Sequence, residues 1–377
     1  MNKLQKLSLV IFVLFGVINL SLADNATLLS EKHESLTPSN KSSYKYIIIS
    51  LDGGGVRGIV PARILQEIEK KTNKSIWQLT DMIAGNSTGG IIALALVTPD
   101  GIGKAKYAAK DLVTLYRDRS AEIFSQSIWK KIASGAGLWG AKYDRTNLDN
   151  ILKEKFGDAL LSDTLKPALV LSYSLDKADV HFWTTRIART SSDKDFYLRD
   201  IAGATSAAPT YFAPKVLKNK NGKVCRSEDT TQEDLCYEAD GGLFANNPAV
   251  VAITESYRAI HNLEREDILL ISIGTGQVKL SAPINNLKNS GVLGWVWNAN
   301  LIDVIMSASS LLTEWEAEIL DIKSFRIQID LPTDLGQMDN TNTKHIQALL
   351  DITEQYIADN RDLIDEVCKK LLTKASK

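Results

Sequence analysis

Three aliphatic runs stand out along the chain: Tyr46-Ile47-Ile48-Ile49-Ser50-Leu51, Pro167-Ala168-Leu169-Val170-Leu171-Ser172-Tyr173-Ser174 and Ile268-Leu269-Leu270-Ile271-Ser272-Ile273. Apolar runs of this length without polar alternation predict strands buried on both faces, as in a parallel sheet. A shorter run, Asp81-Met82-Ile83-Ala84, leads into Gly85-Asn86-Ser87-Thr88-Gly89. Small and aliphatic residues follow to Leu96, so this stretch predicts a strand, a tight turn and a buried helix. Helical spacing marks residues 59–71, with Pro61 in the first turn where proline is tolerated, and recurs within 101–124 and 146–156. It also marks 198–208, which stops before Pro209, a helix opened by Asn246-Asn247-Pro248 and reaching His261, and two amphipathic helices after Asn340. Further strands are predicted at 180–185, at 325–329 and at the approach to Asp240. Strands alternating with helices indicate an α/β fold with a mostly parallel sheet.

Between these elements, residues 134–140 read as a flexible, partly apolar loop and 222–238 as a polar, charged surface excursion. Trp295 and Trp297 precede an apolar helical pattern through Trp315. The favoured reading is an ordinary core helix with a hydrophobic loop. Covering a site mouth or touching a lipid surface is the alternative.

The address lies at the front. Lys3 and Lys6, the apolar run from Leu7 to Leu20 and Ser21-Leu22-Ala23 have the charged start, short apolar middle and small-residue end of a secretory signal peptide cleaved after Ala23. The run falls short of the ~20 residues a spanning helix needs, and no later segment matches it. The expected organisation is a signal peptide at 1–23, a flexible linker at 24–43, a catalytic core at 44–260 and the rest of the same domain at 261–377. Export would place the protein outside the cell, or in a periplasm or vacuole. Asn25, Asn40 and Asn73 fit glycosylation acceptors in a host that glycosylates exported proteins. Cys225 and Cys236 lie close together in a polar stretch and would close a loop in an oxidising compartment, with Cys368 left over. With 44% hydrophobic and 24% charged residues the body is composed like a globular protein, and its net charge of -1 argues against a nucleic-acid partner.

Three glycine-framed motifs sit at predicted strand ends. In Gly85-Asn86-Ser87-Thr88-Gly89 the serine occupies a nucleophile elbow, where Gly85 and Gly89 allow a strained turn against packed strand and helix. In Asp52-Gly53-Gly54-Gly55-Val56-Arg57-Gly58 the glycines also satisfy G-x-G-x-x-G. A dinucleotide turn would require a second strand ending in an acidic residue about 20 residues on. Here the next strand runs out of Asp81 and into the serine pentad instead. The favoured reading is an anion cradle in which the N–H groups of Gly54 and Gly55 receive an oxyanion, with Gly53 in the same loop and Arg57 orienting it or adding charge. The third motif is Asp240-Gly241-Gly242. A parallel sheet gathers its carboxyl ends on one rim, so Ser87, the oxyanion loop and Asp240 would meet as nucleophile, donors and base. His33 lies in the linker and His181 inside a strand; a Ser, Asp, His order would still permit His261 or His345, but neither has a glycine or turn context that presents it on the rim, which favours a Ser87/Asp240 dyad over a triad.

At these residues the sequence resembles the patatin-like phospholipase family: Asp52 to Gly58 its oxyanion motif, Gly85 to Gly89 its nucleophile motif and Asp240-Gly-Gly its catalytic aspartate motif. Thr205-Ser-Ala-Ala-Pro-Thr-Tyr-Phe212 is similar to a further segment, and a weaker similarity runs through Met338-Asp339-Asn340. Asn86, and Gly242 where others have alanine, depart mildly from some members. The resemblance implies a three-layer α/β/α fold and lipid acyl hydrolysis by the Ser/Asp pair, without a metal or other cofactor, on lipid at a membrane or micelle surface. A storage or defence protein with residual hydrolase activity would share every motif, and a nucleotide-binding oxidoreductase is the remaining alternative. Head-group choice, acyl length and oligomeric state have no signature in these motifs.

Overall fold

The computed structural model describes residues 43–125, 140–217, 236–278 and 301–373. The signal and linker segments, the 134–139 loop, most of the 222–238 excursion with Cys225, and Trp295 and Trp297 lie outside these residues.

Strand β1 (Tyr46–Leu51) is buried throughout because its two rows of side chains enter different cores. Ile47, Ile49 and Leu51 join the larger apolar cluster, while Tyr46 and Ile48 join a smaller one on the opposite face. The same division holds in Ile268–Ile273: Leu269, Ile271 and Ile273 point one way, Ile268 and Leu270 the other. Period-2 geometry with both faces dry therefore explains the missing polar alternation. Each fully buried Ile or Leu contributes on the order of 2 kcal/mol.

The remaining strands are β2 (Met82–Asn86), β3 (Ala168–Ser174), β4 (Asp179–Thr184), β5 (Lys215–Leu217), β6 (Cys236–Asp240), β7 (Ile268–Ile273), β8 (Gln277–Val278), β9 (Lys323–Ile327) and β10 (Asp330–Leu331). Among the described residues they form an eight-stranded sheet of order β5-β6-β3-β2-β1-β7-β9, with β4 also on β3, and a small β8/β10 pair. Neighbours from β3 to β9 along this path run parallel. Helices α1 (Ile59–Thr72), α2 (Thr88–Val97), α3 (Ala109–Ile123), α4 (Arg145–Phe156) and α5 (Leu198–Thr205) feed the larger cluster. The smaller cluster is closed by α6 (Ala249–Ala259) and α7 (Leu301–Ile319), through Ala252, Ile253 and Ala317. Helices α8 (Thr343–Asp359) and α9 (Arg361–Leu372) return to the first side through Ile346, Leu349, Ile364 and Val367. The result is helix, sheet, helix: a three-layer α/β/α arrangement.

Three helix ranges and one strand direction need correction. The helix expected to reach His261 ends at Ala259. The helical pattern from 101 begins only at Ala109, because Gly101 and Gly103 adopt φ of 90° and 88° in a turn closed by the Pro99–Ala105 bridge. The helix expected to reach 208 stops at Thr205, with Ser206 as its C-cap outside helical geometry, and Pro209 restricts only Ala208 before it.

Asp240 does not arrive on a parallel strand. Asn86, the last residue of β2, pairs with Leu171, so β3 overshoots the rim to Ser174. Strand β6 runs back along that overshoot antiparallel, with Glu238 opposite Ser174 and Asp240 opposite Ser172. It thereby delivers Asp240 level with the end of β2.

Candidate active site

Ser87 joins β2 to α2 at φ 51° and ψ -124°, a conformation L-residues rarely hold. Its N–H donates to Thr205 Oγ1 at 2.8 Å, so the end of α5 pins the elbow. The turn closes this tightly because two side chains are missing: a Cβ on Gly85 would lie 2.2 Å from the Gly89 carbonyl oxygen, and one on Gly89 2.3 Å from that of Leu51. The N-terminus of α2 then adds its positive dipole end beside the hydroxyl.

Asp240 is buried and its acceptors are unequally used. Oδ1 receives Asn86 Nδ2 at 3.0 Å and the Gly242 N–H at 2.8 Å. Among the described residues Oδ2 is buried with no partner of hydrogen-bond geometry. Burial pushes the carboxyl up to about 6, and the nearby Ser87 hydroxyl, the Gly242 amide and Asn86 act against that rise. Ser87 and Asp240 share the wall of a cavity of about 110 Å³ with Gly55 and with apolar side chains that include Ile91, Leu115, Phe124, Leu152, Phe212 and Met306. A mostly apolar wall beside Ser87 and Asp240 suits an acyl ester.

The glycine loop divides its roles. The Gly53 N–H is already bonded to the Asn246 carbonyl at 3.1 Å, so Gly53 is a framework residue and not a donor. Its own carbonyl accepts Thr275 Oγ1 at 2.7 Å. Gly54 and Gly55 keep their N–H groups free among the described residues, and Gly55 reaches the cavity wall. Gly55 has φ 59°, and a Cβ there would meet the Met338 carbonyl at 2.1 Å, the same carbonyl that receives the Val56 N–H at 2.8 Å. Arg57 is not among the residues lining the cavity, and its Nε reaches the Gly54 carbonyl at 3.5 Å, a contact that braces the loop. Gly241 and Gly242 start the turn after Asp240, packed on Asn86 so closely that a Cβ on Gly241 would stand 2.6 Å from Asn86 Oδ1.

Several supporting residues carry little signal in the sequence. Asp52 is held by Arg326 through two bonds, Nη1 to Oδ1 at 3.0 Å and Nη2 to Oδ2 at 2.6 Å, and Arg326 Nε reaches Glu314 at 2.8 Å. Burial works against the guanidinium charge, but Asp52 and Glu314 outweigh it and hold the Arg326 proton more tightly than water would. A charged residue inside the otherwise apolar Phe325-Arg326-Ile327 was the one available hint, as the glycines flanking Thr275 were for its close approach.

No histidine lines the cavity among the described residues. His181 pairs with buried Glu238 at 2.9 Å and stacks on Trp183, while His345 is buried away from it with its proton affinity lowered, chiefly by that burial. Cys236 is buried and disulfide-bonded. Among the described residues no cluster of three or more His, Cys, Asp or Glu is placed to hold a metal ion, and no helix is long and apolar enough to cross a membrane.

The family model for patatin-like phospholipases matches residues 49–253. The chain belongs to that family. As a patatin-like phospholipase it is a lipolytic acyl hydrolase, and the matched span holds all three rim motifs. Among its relatives, Patatin-like protein 2 of Arabidopsis thaliana is 30% identical, with 80% of each chain covered. Patatin-like protein 1 of Oryza sativa subsp. indica is 28% identical over 85% of this chain and 83% of its own. Of solved structures, human GIVD cytosolic phospholipase A2 aligns with 88% of this chain and 60% of its own at 10% identity and a TM-score of 0.43. Glu314, Arg326 and Met338, which steady the oxyanion loop of this patatin-like chain, all lie beyond residue 253.

Proposed function

We propose that the chain is an exported hydrolase that cleaves fatty-acyl esters of phospholipids or galactolipids through an acyl-enzyme, with Ser87 as nucleophile and Asp240 as its base. The observation that carries this reading is the pairing of Ser87 with a buried carboxylate whose Oδ2 has no partner among the described residues, at the wall of an apolar cavity. Oδ2 accepts the Ser87 proton as Oγ attacks the acyl carbonyl. The oxyanion settles against the Gly54 and Gly55 N–H groups. Protonated Asp240 then gives its proton to the departing alcohol, and in the second half it takes a proton from the water that cleaves the acyl-Ser87 ester and returns it to Ser87 Oγ. A carboxylate is a weak base in water, and burial brings Asp240 to about 6, close to the working range.

The test is acyl-ester turnover by purified variants, together with covalent labelling by a fluorophosphonate. Ser87→Ala should abolish both, and Asp240→Asn should lower turnover about 10²- to 10⁴-fold. His181→Ala, His261→Ala and His345→Ala should each keep most of it. Full activity in Ser87→Ala would remove the reading. Export rests on the Lys3 to Ala23 pattern, and N-terminal sequencing of the secreted protein should begin at Asp24.

A further inference from the structure

Helix α7 (Leu301–Ile319) is apolar on two opposite sides. A step of about 100° per residue sets Ile302, Met306, Ser310 and Thr313 on one side. Leu311, Leu312, Trp315 and Ile319 fall on the other. The first side is committed: Ile302 and Met306 line the cavity with Ser87, Ser310 Oγ receives Asn246 Nδ2 at 3.1 Å, and Glu314 holds Arg326, which holds Asp52. Among the described residues the second side is exposed. Leu311 and Leu312 are each 54% exposed, Trp315 60% and Ile319 61%. Among the described residues the other exposed large hydrophobics form at most small groups, such as Val216 opposite Tyr237 beside Leu175, whereas these four and Leu320 share one stretch. A contiguous apolar patch marks a contact surface where single residues do not.

We propose that this outer face of α7 is the surface by which the protein seats on a membrane of net-neutral lipid. Two observations choose the occupant. The patch belongs to the helix whose inner side forms part of the cavity wall, so an interface at the outer side brings lipid to the helix that borders the cavity. No Lys or Arg occurs from Leu301 to Ile319, while Asp303, Glu314, Glu316 and Glu318 do. Attachment must therefore come from apolar transfer, with Trp315 suited to the headgroup boundary, and anionic lipid is disfavoured. The proposal rests on the lipid-hydrolase reading, since it supplies that enzyme's substrate.

Co-sedimentation of the purified protein with phosphatidylcholine vesicles tests it, alongside Leu311→Ser/Leu312→Ser/Trp315→Ser. The wild type should bind, salt should not release it, and added phosphatidylserine should weaken binding. The triple variant should lose about tenfold or more of its vesicle partitioning, and its vesicle hydrolysis in parallel. Its turnover of dissolved p-nitrophenyl butyrate should be unchanged, which also shows that it is folded. Equal binding by variant and wild type overturns the proposal. So does a wild type that ignores vesicles yet dimerises through this face in analytical ultracentrifugation. Ser87→Ala should still bind vesicles, so failure of the catalytic reading and failure of docking give different results.

Discussion

Asn86 donates its side-chain amide to Asp240 Oδ1 at 3.0 Å from the position immediately before the nucleophile. One turn thus presents the serine and also holds the carboxylate that serves it, across 154 residues of sequence. The bond favours the ionised carboxyl against the burial that opposes it. Asn86→Ala should therefore raise the acidic limb of the kcat/KM profile above about 6, by about one pH unit for a charged hydrogen bond. Asn86→Asp should move it further, because a second carboxylate adds like-charge repulsion. A steady-state pH series checks both, and an unmoved limb in both variants would contradict the role given to Asn86.

The pH dependence of the wild type follows from Asp240 itself. As a base it works only when ionised, so kcat/KM should climb through about 6 and level off about one unit higher. Stability runs the opposite way. Between 3.8 and about 6 the folded chain holds a proton that the unfolded chain has lost, so this group's contribution falls as pH rises across that window. The difference corresponds to at most about 3 kcal/mol. Asp240→Asn should consequently lose most of its turnover yet be no less stable than the wild type near pH 7.5, with its relative advantage gone by about pH 4. Urea unfolding at the two pH values measures this.

The sequence made some of this legible and hid the rest for physical reasons. The strand at Tyr46–Leu51 and the Ser87 elbow are local: aliphatic continuity and glycine spacing describe them without knowledge of neighbours. The direction of β6 is not local, because it depends on how far β3 overshoots β2. Parallel-rim reasoning thus named Asp240 while giving it the wrong strand direction. The oxyanion loop was legible as glycines, but which amide is free depends on Asn246 and Met338 packing against it. Arg326 stands 274 residues from Asp52, and no periodicity links the two.

That pair gives a stability prediction. Asp52 is almost fully buried, and Arg326 is its cationic partner at both carboxyl oxygens. Arg326→Ala leaves the carboxylate uncompensated and should destabilise the fold by about 3–5 kcal/mol. Adding Asp52→Asn to Arg326→Met, which removes both charges and keeps much of the volume, should recover most of that loss. Denaturant midpoints of the three proteins decide it: a double variant no better than Arg326→Ala would mean that the ion pair is not what the site needs.

Thr205 tests whether the elbow's strain is held from outside. Its Oγ1 accepts the Ser87 N–H at 2.8 Å, and its Cγ2 packs over Gly90, where an added Cβ would come within 2.9 Å. Valine keeps the shape and removes the acceptor, leaving a buried N–H unsatisfied. Thr205→Val should cost about 1–3 kcal/mol of stability. Ser87 should also relax from φ 51°, so that kcat falls about tenfold or more while KM changes little, since the apolar cavity is untouched. Thr205→Ser retains the acceptor and gives up one methyl contact. It should recover kcat while losing about 1 kcal/mol of stability to the missing packing. Equal kcat in the valine and serine variants would show that the backbone at Ser87 is held by the glycine contacts of Gly85 and Gly89 alone.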